Sequence, residues 1–213
     1  MTKSKDSTIS IPAMNLETFQ LHIVGDSPLI VHAWDEKAKL MMLQKQQKKA
    51  TAGREARSEA YVEYAKTLYW VNPQMPDVDN MSEAEVYEEI DKATFGFPVV
   101  GFKAAAIDAG YQQGILDKKT TARGAFHIVN GEYAIIEGKP TMREDMVKIG
   151  MGTAEVRYRA EFKQWATTLL INYNKNAMSM EQIANLFNTG GFSNGVGEWR
   201  PARDGSFGRV HVE

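Results

Sequence analysis

Hydrophobic and polar residues alternate over the first part of residues 18–32, where Phe19, Leu21 and Ile23 stand against Thr18, Gln20 and His22. That is the two-residue period of a half-buried strand, and Gly25-Asp26-Ser27-Pro28 interrupts it with turn formers. From Asp35 to about Trp70 the composition turns to Ala, Lys, Gln, Glu, Met and Leu, which favour helix, and Thr51-Ala52-Gly53 divides the stretch into two. Asn72 to Asn80, with Pro73 and Pro76, reads as a loop. Ser82 followed by Glu85 is a capping box that opens a short helix carrying Val86 and Ile90 inward.

After the turn Phe95-Gly96-Phe97-Pro98, the pattern predicts an alanine-rich helix over 102–116, with Phe102, Ala105, Ala106 and Ala109 able to pack closely on a sheet. Residues 125–136 alternate as a hairpin around Asn130-Gly131, a dipeptide favoured in tight turns. One long strand follows from Glu155 to Tyr173, bent near Gln164. Ser179 and Gln182 make a second capping box, Ile183, Leu186 and Phe187 form the buried stripe, Gly190 ends this helix, and 207–212 supply a last strand. With a helical insertion at about 35–92 set aside, the order is βαβ-βαβ. The expected fold is α+β: a ferredoxin-like, RRM-like antiparallel sheet with helices on one face and the other face open. Residues 1–17 are expected to be a flexible arm, and 18–213 a single domain.

Composition narrows the function. The 213 residues are 43% hydrophobic, enough for a core, and contain no cysteine, which excludes disulfides, thiolate metal sites and a cysteine nucleophile. No apolar run approaches the roughly 18 residues of a membrane span, so the expectation is a soluble, cytoplasmic protein with no membrane partner. A net charge of −2 argues against nucleic-acid binding, but the charge is segregated. Lys37, Lys39, Lys45, Lys48, Lys49, Arg54 and Arg57 crowd one stretch, and 77–91 is purely acidic. These are either solvated helix faces, or a basic contact surface and an acidic flap that join copies head to tail or dock a partner.

Candidate chemistry concentrates at the end of the chain. Gly190-Gly191, Gly195-Val196-Gly197 and Gly205-Ser206-Phe207-Gly208 are interleaved with Trp199, Arg200, Arg203 and Arg209. Such a backbone turns sharply and offers amides, guanidinium forks and ring faces, which suit phosphates and unselective base stacking. Against this stands a loop that merely closes a sheet, with Trp199 in a core. No Lys-Ser/Thr follows the glycines, so there is no P-loop, and no dinucleotide fingerprint either. Arg157 and Arg159 share one strand face and serve either phosphate or the neighbouring Glu155 and Glu161. Lys103 begins the alanine-rich helix, and Lys118, Lys119 and Arg123 flank a turn read as a mobile basic arm. The histidines His22, His32, His127 and His211 are isolated, so no metal and no cofactor is expected.

The late helix containing Leu186, then Gly190-Gly191, Gly195-x-Gly197, Arg200 and Gly205-x-x-Gly208 before a terminal strand, resembles the RAMP superfamily of RRM-like proteins, to which the backbone-forming Cas7 subunits of CRISPR effectors belong. Gly101 to Ala106 also looks like the small-residue helix start common in that group. The stretch from Tyr158 onward is similar to uncharacterised tailed-phage proteins. The resemblance covers about half the chain and leaves 35–92 without a counterpart. It implies RNA or single-stranded DNA bound through the backbone by several copies in a row. The expectation is thus a non-enzymatic binder, with Lys103, Lys118, Lys119, Arg123, Arg157, Arg159, Arg200, Arg203 and Arg209 on phosphates, Gly195 and Gly197 shaping the loop, and Trp199 and Phe207 stacking. The alternatives are a metal-independent ribonuclease using His32, which follows the first strand where RNA-processing relatives can carry a general acid/base, and a phage protein whose acidic 77–91 docks a host complex.

Overall fold

Leu16–Gly25 forms β1, with Leu21 and Ile23 buried while Thr18 and Gln20 face solvent, as the alternation predicts. This is seen in a computed structural model, which describes residues 13–34, 40, 42–43, 46–47, 57–149 and 153–213. The strand starts at Leu16, inside the expected arm, because Leu16 and Glu17 already pair with Asn174 and Tyr173. Its partners are β10 (Val210–Val212) and β9 (Ala166–Asn174), and β5 (Phe126–Ile128) lies beyond β9; all pairs are antiparallel. Two helices join the core strands: α3 (Val99–Gln112) between β1 and β5, and α5 (Met180–Ser193) between β9 and β10. The resulting spatial order β10-β1-β9-β5 is that of the expected βαβ-βαβ plan.

One sheet face and the two helices share a core of Leu21, Ile23, Phe102, Ala106, Phe126, Leu169, Ile171, Ile183, Leu186 and Phe187. Each large side chain fully buried there contributes about 1.5–3 kcal/mol. On the other face Gln20, His22, His127, Leu170 and Asn172 stay wholly or partly exposed, so the sheet does have an open side. Gly190 does not end the last helix. Helix α5 continues through Gly191 to Ser193, and its glycines serve packing: a Cβ on Gly190 would stand 2.6 Å from Ala106 Cα, and one on Gly191 2.1 Å from the Val210 carbonyl oxygen. The glycines here allow helix α3 and strand β10 to approach closely.

Two further sheets depart from the sequence reading. The strand expected over 155–173 is two strands, β8 (Thr153–Phe162) and β9, in different sheets. Trp165 makes the corner: its Nε1 donates to the Ser27 carbonyl at 2.9 Å, and Gly25 leaves room for the indole. Strand β8 pairs along its whole length with β7 (Pro140–Ile149), and at one end with β2 (Leu29–Val31). The expected hairpin at 125–136 also divides. Strand β5 joins β9, whereas β6 (Tyr133–Ile135) joins β4 (Thr94–Pro98), because Asn130 spends its side chain on the backbone of Thr168 and Leu170. The insertion is not purely helical either: α1 (Ala60–Lys66) and α2 (Glu83–Lys92) flank β3 (Trp70–Asn72), which pairs with β4. The Ser82 capping box opens α2 as expected. Leu40, Met42, Leu43 and Gln46 are helical. Lys37, Lys39, Lys45, Lys48, Lys49 and Arg54 lie outside the described residues. Among the described residues no helix is long and apolar enough to cross a membrane.

Candidate nucleic-acid interface

The chain after α5 winds through a loop whose amides are mostly used internally. Val196 N–H donates to the Gly208 carbonyl, Glu198 to Ile30, Phe207 to Trp199 and Gly205 to Arg200. Gly195 and Gly197 adopt φ of 62° and 78°, and Trp199 itself is left-handed at 51°. A row of exposed amides cradling phosphate is therefore not what the glycines build. They let the loop fold on itself and lie along the β2 edge, which places the Glu198, Trp199 and Arg200 side chains beside strand β8.

Three adjoining cavities follow from this placement. The first, about 310 Å³, lies between the start of α1 and β8 and is lined by His32, Arg57, Glu63, Lys66, Glu155 and Arg157 among others. The second, about 230 Å³, lies between α3 and the loop and takes in His32, Tyr69, Phe97, Asn194, Glu198 and Arg200. The third, about 380 Å³, is lined by Arg159, Glu198, Trp199, Arg200 and Arg203. His32 is shared by the first and second, and Glu198 and Arg200 by the second and third, so the three adjoin in a row with these side chains as common walls, a row called the groove below. At its third-cavity end three guanidiniums face one carboxylate.

The cations differ in how free they are. Arg57 is held by both oxygens of Glu63 at 2.7 Å, and Arg157 stands 3.5 Å from Glu155. Arg159 is almost fully buried; its Nη1 lies 3.3 Å from Asp145, and its Nε has no hydrogen-bond partner among the described residues. Asp145 and Glu161 are also bound by Arg143 at 2.7 and 2.8 Å, giving a compact network of two arginines and two carboxylates beside the groove. Arg200 donates to the Gly197 carbonyl at 2.8 Å, and Arg203 is exposed with no ion-pair partner among the described residues. Trp199 is 43% exposed. Burial, reinforced by the Arg159 charge, lowers the His32 pKa, and its Nδ1 is buried without a hydrogen-bond partner among the described residues. Burial raises that of Tyr69.

Of the residues singled out in sequence, the groove unites Arg157, Arg159, Gly195, Gly197, Trp199, Arg200 and Arg203. Phe207 sits next to it under Arg143, whose guanidinium lies 4.7 Å from the ring centroid, so this face is already taken by a cation. The others are elsewhere. Lys103 donates to the carbonyls of Arg123 and Phe126 at 2.9 and 2.5 Å and lies over the Phe126 ring, and its burial lowers its pKa. Lys118, Lys119 and Arg123 belong to a docked helix, α4 (Lys119–Ala125) with Lys118 as its cap, and not to a mobile arm; Ala122 and Ala125 are buried beneath it, and Lys119 pairs with Asp108 at 2.8 Å. The Arg209 Nε is buried without a partner while its backbone joins Asp26 and Ser27. Sequence reading passed over Tyr69, Lys66 and Glu198. Arg57 was within the basic stretch already noted, but its place in the same cavity as Arg157 follows from its side chain donating to the Val156 carbonyl of β8. Among the described residues no three His, Asp or Glu side chains gather to hold a metal.

No protein-family model matches the chain, and no curated protein does. Among solved structures, the crystal structure of Cmr6 from Pyrococcus furiosus is similar, at 12% identity over 94% of this chain and 100% of that one, with a TM-score of 0.37. At that superposition the likeness carries nothing about the groove.

Proposed function

We propose that this chain binds single-stranded nucleic acid, RNA or DNA, in the groove that runs from Arg57 and Arg157 past His32 to Arg159, Arg200 and Arg203, without catalysing a reaction on it. The observation that carries this reading is the adjacency of the three cavities, which share His32, Glu198 and Arg200 as walls, together with the excess of guanidinium at one end. An extended strand presents one phosphate per nucleotide to such a row of cations. Trp199 beside the arginines offers a ring on which any base can stack, so recognition is dominated by backbone charge. The Gly/Arg tail that resembles RAMP proteins supplies these residues, and binding by consecutive copies along one strand belongs to the same reading.

A salt titration of oligonucleotide binding tests it. For single strands log K falls with log salt by about 0.7 per phosphate neutralised. The double variant Arg200→Glu, Arg203→Glu is expected to weaken binding by at least about tenfold and to flatten the slope by about two contacts' worth. Folded protein that binds no oligonucleotide at low salt, or a double variant that binds as before, sinks the proposal. Cleavage of bound RNA in chelator that disappears in His32→Ala would move the assignment to a metal-independent ribonuclease, and capture of a protein partner that survives nuclease would move it to the acidic segment 77–91.

A further inference from the structure

Glu198 does not belong in a groove made only for phosphate. Its backbone is fixed, because its N–H donates to the Ile30 carbonyl at 2.9 Å, yet its carboxylate has neither a hydrogen bond nor an ion pair among the described residues. Arg200, two residues on, turns to the Gly197 carbonyl instead of pairing with it. A half-buried carboxylate left unpaired beside guanidiniums is costly against a phosphate chain, since like charges repel. The same group is favourable against hydrogen-bond donors.

The second cavity supplies the setting for such donors. Its walls include Tyr69 and Phe97, which meet edge to face at 5.9 Å, and it adjoins the third cavity, where Arg159 and Arg203 stand. Glu198 and Arg200 line both cavities, so a carboxylate acceptor and a guanidinium donor belong to the wall the two have in common. A base swung out of a strand whose phosphate rests on the arginines would enter between the aromatic wall and this pair. Unstacked bases are read in this way, by stacking and by hydrogen bonds to the Watson–Crick edge.

We infer that the cavity between α3 and the glycine loop is a pocket for one unstacked guanine, with the Glu198 carboxylate accepting from N1–H and the 2-amino group, and the Arg200 guanidinium donating to O6. This rests on the proposed strand-binding role of the groove. Guanine alone among the common bases presents two adjacent donors followed by an acceptor. Uracil offers a single donor between acceptors, and cytosine and adenine a single exocyclic amine beside ring acceptors. A carboxylate accepting two donors at once is a charge-assisted bidentate contact, and one such contact discriminates by about tenfold or more. Binding is therefore not fully indifferent to sequence: backbone charge sets the affinity, and one pocket per copy adds a preference for guanine.

Anisotropy titrations of the full chain with a fluorescent oligouridylate and with the same strand carrying one central guanosine test this. A single guanosine suffices, because the strand can slide until that base meets the pocket. The guanosine strand is expected to bind about tenfold tighter, and Glu198→Gln, which keeps the shape but offers one acceptor in place of two, is expected to bring the ratio of the two affinities close to unity. Equal affinities in the parent protein overturn the pocket and leave strand binding standing. A preference that persists undiminished in Glu198→Gln overturns the role of the carboxylate. Absence of binding to both strands removes the underlying reading as well.

Discussion

The His32 imidazole is held neutral by burial first and by the Arg159 charge second, with Arg157 acting in the same direction and Glu198 and Glu63 opposing. Above the ordinary imidazole value of about 6.5 the folded and unfolded chains are both neutral at this site, and it contributes nothing to stability. As pH falls below that value the unfolded chain takes its proton first, so stability is lost until the lowered folded pKa is passed. A phosphate in the groove reverses the local field and favours the imidazolium, so binding takes up a proton. Acidification from about pH 7.5 to about pH 5.5 is thus expected to lower the urea midpoint while tightening oligonucleotide binding, and His32→Gln to remove both trends. An affinity profile that His32→Gln leaves untouched would separate His32 from the bound strand. At this scale sequence served well where the lining of a cavity comes from a dense local cluster, as with Trp199, Arg200 and Arg203. It served poorly for Lys103, whose acceptors lie some twenty positions further along the chain and become visible only when α4 docks.

Helix α5 is the element whose sequence and packing pull in opposite directions. Glycine in a helix interior costs about 1 kcal/mol relative to alanine, which is why Gly190-Gly191 reads as a stop. Here the cost is offset by contact with α3, since the atoms nearest an added Cβ on Gly190 are the Ala106 Cα and N and the Ala105 C at 2.6–2.8 Å, all backbone and unable to rotate away. Gly190→Ala is therefore expected to destabilise the protein by about 2 kcal/mol despite its better helix propensity, a fall of about 4–8 °C in Tm for a chain of this size. An unchanged or raised Tm would mean that α3 and α5 sit further apart. Strand β7 was illegible for the opposite reason. Its exposed positions include Met142 and Met146, and its covered ones carry Arg143 and Asp145, so the hydrophobic pattern is inverted. Only β8, which brings Arg159 and Glu161 to the same face, makes a charged interior tolerable there. The break between β8 and β9 is marked in sequence only by the adjacent polar pair Lys163-Gln164, across which the apolar positions shift from even to odd, and with no glycine or proline there it reads as a bend.

Across the whole molecule, the order of strands and helices along the chain sufficed for the plan of the four-stranded core, although its pairings join residues far apart in sequence, such as Leu16 with Asn174 and Val24 with His211. The groove depends on two sheets meeting at the glycine loop, and no local pattern encodes that. The charge balance also acquires a direction at this scale. The net charge of −2 combines an arginine groove on β8 and the loop with an acidic helix α2, where Glu83 and Glu88 are exposed. If consecutive copies occupy one strand, the acidic face of one copy can lie against a basic surface of the next, and contacts between copies then add to contacts with the strand. Such coupling grows with the number of copies bound. An oligonucleotide long enough for many copies is accordingly expected to bind cooperatively and to appear as regular filaments in electron micrographs, whereas a strand that holds one copy binds without cooperativity. Charge reversal at Glu83→Lys and Glu88→Lys separates the two contributions, because these side chains are remote from the groove lining. Filaments and cooperativity should disappear on the long strand while the short strand is still bound. Filaments that persist in this variant would assign the acidic helix to solvation alone, and a long strand decorated without any regular spacing in the parent protein would rule out contact between neighbouring copies.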